Sequence, residues 1–216
     1  MKSITNPLIY FYKRIINKFS SNITFRKNDI SNTVNKNFLD GPKIHFGSGD
    51  ISIDGWINID TRPLANVDII GGEEAFDKFE DNTLAAVYAC HVLEHISHLE
   101  TSKFLDRIYK KISFGGKIII SVPDFKNIVK VYESYPGGIA SIQSILYGGQ
   151  DYKENLHMSC YDEKYLSKLL TQVGFKNICQ WNTQELFGIP INDWSDKNHI
   201  KVGEDLPISL NLIGLK

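Results

Sequence analysis

The feature that most constrains this chain is a glycine turn followed closely by an acidic residue. The stretch that begins at Lys43-Ile44-His45-Phe46 is predicted to be a strand that leads into the turn Gly47-Ser48-Gly49, and a second predicted strand ends at Asp60. Glycine has no Cβ and adopts positive φ readily, so the backbone of this turn can approach a ligand closely. A carboxylate at the tip of the next strand can accept hydrogen bonds from both hydroxyls of a ribose. The spacing therefore predicts a nucleoside pocket at the carboxyl edge of a parallel sheet.

The groups that are missing from this motif narrow the choice of ligand. A dinucleotide site has a third glycine and places its ribose-binding acid about 20 residues further on. Here Ser52 stands at the third position, Asp60 follows Gly49 by only eleven positions, and no Lys or Arg lies between them. This short gap favours a nucleoside cofactor without a phosphate, such as S-adenosylmethionine. A glycine turn that only joins two strands is the alternative.

Five motifs in a fixed order give the chain a family resemblance. They are Ile44-His45-Phe46-Gly47-Ser48-Gly49, Gly55-Trp56-Ile57-Asn58-Ile59-Asp60, Ala89-Cys90-His91-Val92-Leu93-Glu94-His95, residues 114–124 and Leu169-Leu170-Thr171-Gln172-Val173-Gly174-Phe175. Through them, residues 43–216 resemble the class I S-adenosylmethionine-dependent methyltransferases. The similarity is to the small type 11-like enzymes that often accompany surface-polysaccharide genes.

The expected architecture is an α/β, three-layer, Rossmann-like fold. The alternation of strand and helix patterns predicts a doubly wound, mostly parallel sheet covered on both faces. About seven strands are expected, near residues 43–47, 56–60, 67–70, 85–90, 117–122, 176–182 and 207–215. The resemblance implies that the last strand enters antiparallel.

Helix signals accompany these strands. Ser97 and Glu100 form a capping-box pattern that predicts a helix, in a segment ended by Gly115-Gly116. Asp162 predicts the start of another helix and Gly174 its end. In residues 184–206 the apolar side chains follow neither helical nor strand spacing, and this segment is predicted to form an excursion over one end of the sheet.

The N-terminal region is predicted to be separate from the catalytic domain. We place an amphipathic helix and a polar linker in residues 1–40, and the methyltransferase domain in residues 41–216. Apolar side chains recur at helical spacing across residues 6–19, with Lys13, Arg14 and Lys18 on the other side. Such a helix either packs on the domain or lies on a membrane surface or a partner.

Composition excludes several classes of function. The net charge is −1, so no overall field recruits nucleic acid. Positive charge is local, because residues 1–40 carry seven Lys or Arg against two Asp.

The three cysteines are scattered along the chain, which argues against disulfides and a zinc site and favours the cytoplasm. We therefore predict no metal site, a cytoplasmic protein with possible peripheral membrane contact through residues 6–19, and an oligomeric state that the sequence leaves open.

The resemblance assigns the cofactor residues. The first strand and its turn supply Phe46, Gly47, Ser48 and Gly49, and the second strand supplies Asp60 with Thr61 beside it. Cys90 and His91 end the fourth strand. The family usually has an acid after the third strand that accepts from the adenine amino group. Glycines stand there in this chain, and Glu73 is the nearest substitute.

Three residues are candidates for handling a proton. His91 lies where cofactor and acceptor meet, and an imidazole can accept a proton near neutral pH. His157 lies in a loop that normally covers the acceptor in the family, and Asp124 follows the fifth strand. Asp124 is equally able to cap the next helix. For Glu94 and His95, a structural role is expected.

The predicted activity is methyl transfer from S-adenosylmethionine, with O-methylation of a sugar, a glycan or another small hydroxylated acceptor. N-methylation of a small metabolite and a non-catalytic nucleoside-binding module remain as alternatives. A short-chain sugar dehydrogenase is not favoured because no Tyr-x-x-x-Lys pair occurs. A metal-dependent glycosyltransferase is not favoured because no Asp-x-Asp occurs.

Overall fold

The computed structural model describes residues 37–134, 136–196, 199–201 and 205–216. The predicted amphipathic helix at 6–19 and the linker up to residue 36 lie outside the described residues. Within the described part, no helix has the length and apolar character needed to cross a bilayer.

A seven-stranded sheet organises the domain. Its strands are β1 (Lys43–Phe46), β2 (Ile57–Asp60), β3 (Ile69–Ile70), β4 (Leu84–Cys90), β5 (Ile112–Pro123), β6 (Lys176–Gln180) and β9 (Ser209–Leu215), and a separate hairpin pairs β7 (His199–Lys201) with β8 (Asp205–Pro207). The order across the sheet is β3-β2-β1-β4-β5-β9-β6. β9 runs antiparallel to both neighbours, and the other pairings are parallel. The predicted α/β fold is confirmed.

The strands in the middle of the sheet are buried on both faces. β4 has the sequence Leu-Ala-Ala-Val-Tyr-Ala-Cys, and its first six residues are buried. Such a continuous apolar run suits a parallel strand between two layers of helices. Alternate residues of β1 separate the two layers: Phe46 packs with Phe76 and Phe104 on one face, while His45 stacks on Tyr88 on the other.

The helices are α1 (Thr101–Lys111), α2 (Phe125–Ser134), α3 (Gln143–Tyr147), α4 (Glu163–Val173) and α5 (Thr183–Leu186). The predicted limits of α4 are confirmed. Asp162 Oδ1 accepts a hydrogen bond from Tyr165 N at 2.7 Å, and Gly174 ends the helix with a φ of +123°.

The capping box expected before α1 is wrong. The helix begins at Thr101, and its N-cap residue Glu100 makes no side-chain capping hydrogen bond. Instead the hydroxyl of Thr101 donates to the carbonyl of Ser97 at 3.1 Å. The segment after the helix also differs, because Gly115 and Gly116 lie inside β5.

The described end of the linker packs on the domain. Phe38 lies edge-on to Trp56, with ring centroids 5.5 Å apart, and also contacts Phe187. Lys117 is buried in β5 and places its ammonium group 4.8 Å from the centroid of the same ring. The folded unit therefore includes residues that precede position 41.

Candidate functional site

Register brings the predicted cofactor residues to one edge of the sheet. Phe46 pairs with Ile59 of β2 and with Ala89 of β4. The residues that follow these three, namely Gly47, Asp60 and Cys90, therefore lie side by side at the carboxyl ends of the strands. This is where open α/β sheets bind their ligands.

The two glycines of the turn have different roles. Gly47 has a φ of +67°, and a Cβ built on it would lie 2.3 Å from Val92 Cγ2, so this position fits closely under the turn after β4. Gly49 has a φ of +56°, and the nearest atom to its built Cβ is Arg62 Nη2 at 3.4 Å. The flexible end of the Arg62 side chain is therefore the only group among the described residues that covers Gly49, and a ligand could approach this backbone if Arg62 moved.

The amide groups of this turn all donate within the protein. The N–H groups of Gly47 and Ser48 donate to Ile59 O at 2.8 and 3.1 Å, and Gly49 N donates to Asp60 Oδ2 at 2.8 Å. A phosphate-binding nest needs successive free N–H groups. The turn offers none, which agrees with a nucleoside cofactor that carries no phosphate.

Asp60 lies at the tip of β2 and is already engaged by Arg62. Its Oδ1 accepts from the backbone N and from Nε of Arg62, at 2.9 and 3.1 Å. Burial alone would raise the pKa of Asp60, but hydrogen bonds from Arg62 and Gly49 outweigh burial and hold this pKa below its ordinary value. Arg62 is not among the predicted site residues, because it lies two positions beyond the segment from Gly49 to Asp60 on which the prediction of the pocket rests.

The remaining cofactor candidates are placed as follows. The ring of Phe46 is buried in the core, so only its backbone borders the site. Ser48 is buried, and Thr61 is exposed beside Asp60. Burial raises the pKa of the Cys90 thiol well above its ordinary value, which keeps this group neutral.

The position predicted to meet the adenine carries two acids. Glu73 begins a short 3₁₀ helix after β3, and its side chain is exposed. The neighbouring Glu74 folds back so that Oε1 accepts from Gly72 N at 2.8 Å. Glu74 is thus a second candidate at this position, and the role of Glu73 stays a prediction.

His91 is held in a strained backbone conformation at the end of β4. Its φ is +53°, a region that a non-glycine residue seldom adopts outside functional or tightly constrained positions. Its Nε2 lies 2.8 Å from Ser209 Oγ, and that hydroxyl donates its one proton to Trp194 O. Nε2 of His91 must therefore donate to Ser209. The other ring nitrogen, Nδ1, lies 3.2 Å from Glu94 Oε1.

Both nitrogens of His91 are engaged, so this geometry does not favour His91 as the base. The ring also lies against the indole of Trp194, with centroids 5.7 Å apart. The turn that carries Trp194 is fixed by Asp193, which accepts from Tyr88 O–H and from Ser195 N. His91 therefore connects the end of β4 to the turn that precedes β7.

His157 has one free nitrogen. Its Nδ1 lies 2.9 Å from Ile145 O, and because a carbonyl only accepts, Nδ1 carries the proton. The neutral ring therefore has its lone pair on Nε2, 4.0 Å from Glu94 Oε1. Burial lowers the pKa of His157, although the charge of Glu94 opposes this effect. His157 is the better candidate for interaction with an acceptor proton.

Glu94 lies at the centre of this group rather than on a helix surface. Its side chain is 1% exposed, and the main chain of the His157 loop is fixed to it, since Met158 N and Ser159 N both donate to Glu94 O. Burial acts to raise the pKa of Glu94, but His91 and His95 together hold it below its ordinary value. From the sequence, only a structural role is predicted for Glu94.

Asp124 caps α2. Its Oδ1 accepts from Lys126 N at 3.0 Å, and burial raises its pKa. It also borders a cleft of about 360 Å³ at the same edge of the sheet, lined by Asp124, Asn127, Gln180, Trp181, Pro207, Ser209, Leu210 and Asn211. Ser209, which accepts from His91, connects this cleft to the end of β4.

The comparisons with known proteins agree with this arrangement. Residues 32–180 match the family described as a methyltransferase domain. The chain belongs to this family. No curated protein matches it in sequence.

Solved structures of methyltransferases share the fold. A methyltransferase from Archaeoglobus fulgidus described as SAM-dependent is 14% identical, with a TM-score of 0.52 over 97% of this chain and 94% of that one. A possible histamine N-methyltransferase from Thermotoga maritima has the same identity and TM-score and is covered over 97% of both chains. The 1,6-didemethyltoxoflavin-N1-methyltransferase of Burkholderia thailandensis is 13% identical, with a TM-score of 0.51 over 100% of this chain and 92% of that one.

The residues of this site fit S-adenosylmethionine. Gly49 provides a backbone that, among the described residues, only the Arg62 side chain covers, Asp60 provides a carboxylate at the tip of β2, and the occupied amides of the turn suit a cofactor without phosphate. Asp60 would hold the ribose hydroxyls, which requires the Arg62 side chain to move. The Arg62 side chain is 39% exposed, so this movement is open to it.

Proposed function

We propose that this methyltransferase transfers a methyl group from S-adenosylmethionine to a hydroxyl group of a small polyhydroxylated acceptor, such as a sugar or a glycan unit. The observation that carries the proposal is the polar cleft of about 360 Å³ beside the cofactor edge. Five of its eight lining residues have polar side chains that can form hydrogen bonds: Asp124, Asn127, Gln180, Ser209 and Asn211.

Several of these groups are available to a ligand. Asn211 Nδ2 donates to Ser195 O at 3.0 Å, but its Oδ1 is buried without a hydrogen-bond partner among the described residues. A buried amide oxygen without a partner is costly, and a hydroxyl donor from an acceptor would satisfy it. Asp124 accepts from the backbone of Lys126 and Asn127 at the start of α2, and a carboxylate has about four acceptor sites, so it can also accept from a sugar hydroxyl.

The chemistry of the site also favours an oxygen acceptor. S-adenosylmethionine supplies a methyl group on a positively charged sulfur that leaves as a neutral thioether. A hydroxyl is a weak nucleophile until its proton is removed, and positioned general bases supply that step. The free Nε2 of His157 beside the buried carboxylate of Glu94 is suited to it, while His91 and Ser209 position the acceptor between cleft and cofactor.

The five sequence motifs resemble those of small methyltransferases that often accompany surface-polysaccharide genes. On the basis of this resemblance we propose, as the acceptor, an activated or lipid-linked sugar unit of a surface glycan, methylated in the cytoplasm. Asp124 is the one charged residue among the eight that line the cleft, so the lining suits the hydroxyl groups of the sugar unit and not a phosphate group.

A methyl-transfer screen tests the proposal. The full chain would be incubated with radiolabelled S-adenosylmethionine and four groups of acceptors: nucleotide sugars, lipid-linked sugars, free monosaccharides and biogenic amines. We expect transfer to a sugar, with NMR of the product showing the methyl group on oxygen. Transfer to nitrogen alone, or no transfer to any sugar by protein that binds S-adenosylhomocysteine, would overturn it.

A pair of variants tests the cleft itself. Asn211→Ala should raise the KM for the acceptor about five- to tenfold, as expected for one lost hydrogen bond of about 1 kcal/mol, and leave the affinity for S-adenosylhomocysteine unchanged. Gln172→Ala, an exposed change on α4, is the matched control and should leave both values unchanged.

A further inference from the structure

The side chains of Glu94, His95 and His157 converge beside the cofactor edge from two segments of the chain. One candidate ligand atom from each residue lies within 4.8 Å of the other two. A point therefore exists no more than about 2.8 Å from all three atoms, and shifts of about 0.7 Å would bring them to the 2.0–2.2 Å typical of metal bonds to nitrogen and oxygen.

Glu94 provides a second and independent indication of a ligand. Its carboxylate is buried, and the polar side chain close to Oε1 is that of His91, whose Nδ1 lies 3.2 Å away. Oε2 has no hydrogen-bond donor among the described residues. Burying a carboxylate without hydrogen bonds costs several kcal/mol, and buried charges are normally paired or coordinate metals.

Both histidines present the same tautomer. Nδ1 of His157 lies 2.9 Å from Ile145 O, and Nδ1 of His95 lies 3.2 Å from Leu156 O. Each carbonyl fixes the proton on Nδ1 and leaves Nε2 with its lone pair. This is the arrangement that orients metal-bound imidazoles, whose other nitrogen donates to a backbone carbonyl or a carboxylate.

The two segments are held together by the main chain, so the ligands are positioned before any ion binds. Met158 N and Ser159 N donate to Glu94 O at 2.7 and 3.1 Å, and Ser159 Oγ donates to Ile96 O. The rings of His95 and His157 lie edge to face, with centroids 4.8 Å apart. This rigidity reduces the conformational cost of ordering the ligands.

We propose that Glu94, His95 and His157 bind a divalent first-row transition-metal ion, and that this ion holds the acceptor hydroxyl oxygen. Two imidazoles and one carboxylate suit Mn²⁺, Fe²⁺ or Zn²⁺ better than Ca²⁺, which prefers oxygen ligands alone. Three protein ligands leave coordination positions open for an acceptor. The prediction that no metal binds rested on the spacing of cysteines, which does not bear on a site of this composition.

The role of the ion in catalysis rests on the proposed function. The ion would lower the pKa of a hydroxyl bound to it, so that the proton could pass to solvent water; the oxygen could then attack the methyl group while the cofactor leaves as S-adenosylhomocysteine. His157 is a ligand in this state rather than the proton acceptor. The binding of the ion itself does not depend on which acceptor is used.

Metal binding by the full chain tests the inference without any activity measurement. Protein freed of metal with a chelator would be titrated with Mn²⁺ and with Zn²⁺ by calorimetry, and with Co²⁺ while its visible absorption is recorded. We expect one ion per chain and a Co²⁺ spectrum with nitrogen and oxygen ligands. The His95→Gln/His157→Gln double variant should bind at least about a hundredfold more weakly, because changes even in the groups that support a ligand cost 10–100-fold.

The matched control is His98→Gln, an exposed histidine three residues beyond His95. It should bind as tightly as the parent and keep the same Co²⁺ spectrum. Equal affinity of the parent and the double variant, or loss of binding in His98→Gln alone, would overturn the site. Circular dichroism tests whether the double variant keeps its fold. If the fold is lost, the milder His157→Asn variant replaces the double variant.

The outcomes separate this site from the proposed function. Methyl transfer to a sugar by protein that binds no metal would overturn the metal site and leave the function. Metal binding together with a nitrogen-methylated product would leave the site and overturn the function. If His157 is a ligand, excess Mn²⁺ should partly restore turnover to His157→Asn; a defect that no metal concentration relieves would overturn the ligand role.

Discussion

The guanidinium group of Arg62 covers the carboxylate of Asp60, with Nε 3.1 Å from Oδ1 and Nη2 3.4 Å from Oδ2. The carboxylate that would hold a ribose is therefore already paired in this structure. Arg62 also lies over the ring of Tyr152, 5.2 Å from its centroid. A ligand hydroxyl at Asp60 must displace part of this arrangement.

Removal of the competing cation should tighten cofactor binding. Partly exposed ion pairs contribute about 0.2–1 kcal/mol, so Arg62→Ala is expected to bind S-adenosylhomocysteine up to about fivefold more tightly by calorimetry. Arg62→Lys keeps the charge and should bind like the parent. Weaker binding by Arg62→Ala would show that the arginine contacts the cofactor directly.

Removal of the Asp60 carboxylate should weaken cofactor binding. Asp60→Ala removes the group that would accept from the ribose, and hydrogen bonds to a charged group contribute about 1.5–3 kcal/mol. We expect the affinity for S-adenosylhomocysteine to fall by that amount while the protein stays folded. Asp54→Ala, an exposed change in the same connector, should bind like the parent. Parent-like affinity in Asp60→Ala would remove this residue from the site.

The two glycines of the turn should tolerate substitution differently. Gly49→Ala introduces only the strain of a positive φ, about 1–2 kcal/mol. Gly47→Ala has the same strain and also places a Cβ 2.3 Å from Val92 Cγ2, which adds about 1–3 kcal/mol of overpacking. Urea unfolding should therefore show the larger loss of stability in Gly47→Ala. The Gly47→Ala/Val92→Ala pair should be less unfavourable than the sum of the single changes, since the clash is gone.

Sequence patterns were most informative where local chemistry decides the structure. The polar cap at Asp162, the glycine stop at Gly174 and the continuous apolar run of β4 are local signals, and the structure confirms them. Asp60 at a strand tip was found in the same way. The capping box before α1 failed because Ser97 Oγ accepts from Leu99 N within the preceding turn, and Thr101 at the start of the helix donates to the carbonyl of Ser97 instead.

Contacts between distant segments could not be predicted from spacing. His91 meets Ser209 across 118 positions, and the loop of His157 is fixed to Glu94 by main-chain hydrogen bonds whose partners carry no sequence signal. The turn at residues 93–95 buries the side chain of Glu94, but its sequence is typical of an ordinary helix start. Tertiary structure alone shows that its carboxylate lies between histidines.

Substitution of His157 should lower turnover without changing the affinity for the cofactor. His157→Ala removes the free nitrogen beside Glu94 and should lower turnover on a hydroxyl acceptor by roughly 10²- to 10⁴-fold, whether the nitrogen takes the proton or holds a metal ion. The affinity for S-adenosylhomocysteine should change little. His98→Ala is the exposed control and should keep full turnover. A parallel loss of cofactor affinity in His157→Ala would place this residue in the cofactor pocket instead.

His45 should make the fold sensitive to mild acid. Its side chain is buried in β1 and stacked on Tyr88, with centroids 5.0 Å apart. Burial lowers its pKa from 6.5 to about 4, although the charges of Asp193 and Asp60 oppose this effect. The unfolded chain therefore takes up a proton on His45 as the pH falls through 6.5, while the folded protein does not do so until about pH 4.

The sign of the effect follows from this difference in proton uptake. Where the unfolded state binds more protons, stability rises with pH. The contribution of His45 to the free energy of unfolding is therefore fully present above about pH 6.5. It is lost progressively as the pH falls to about 4. Each unit of pKa difference corresponds to about 1.4 kcal/mol, so urea unfolding should show a loss of about 2 kcal/mol from this residue between pH 7 and pH 5.

The comparison that isolates His45 uses His45→Phe, which keeps a ring against Tyr88 but cannot titrate. Its stability should decline less steeply between pH 7 and pH 5 than that of the parent, whatever its absolute stability. Some decline should remain, because burial also lowers the pKa of His157. The exposed change His98→Gln should keep the slope of the parent. Identical slopes for His45→Phe and the parent would show that His45 is not the group that the fold keeps neutral.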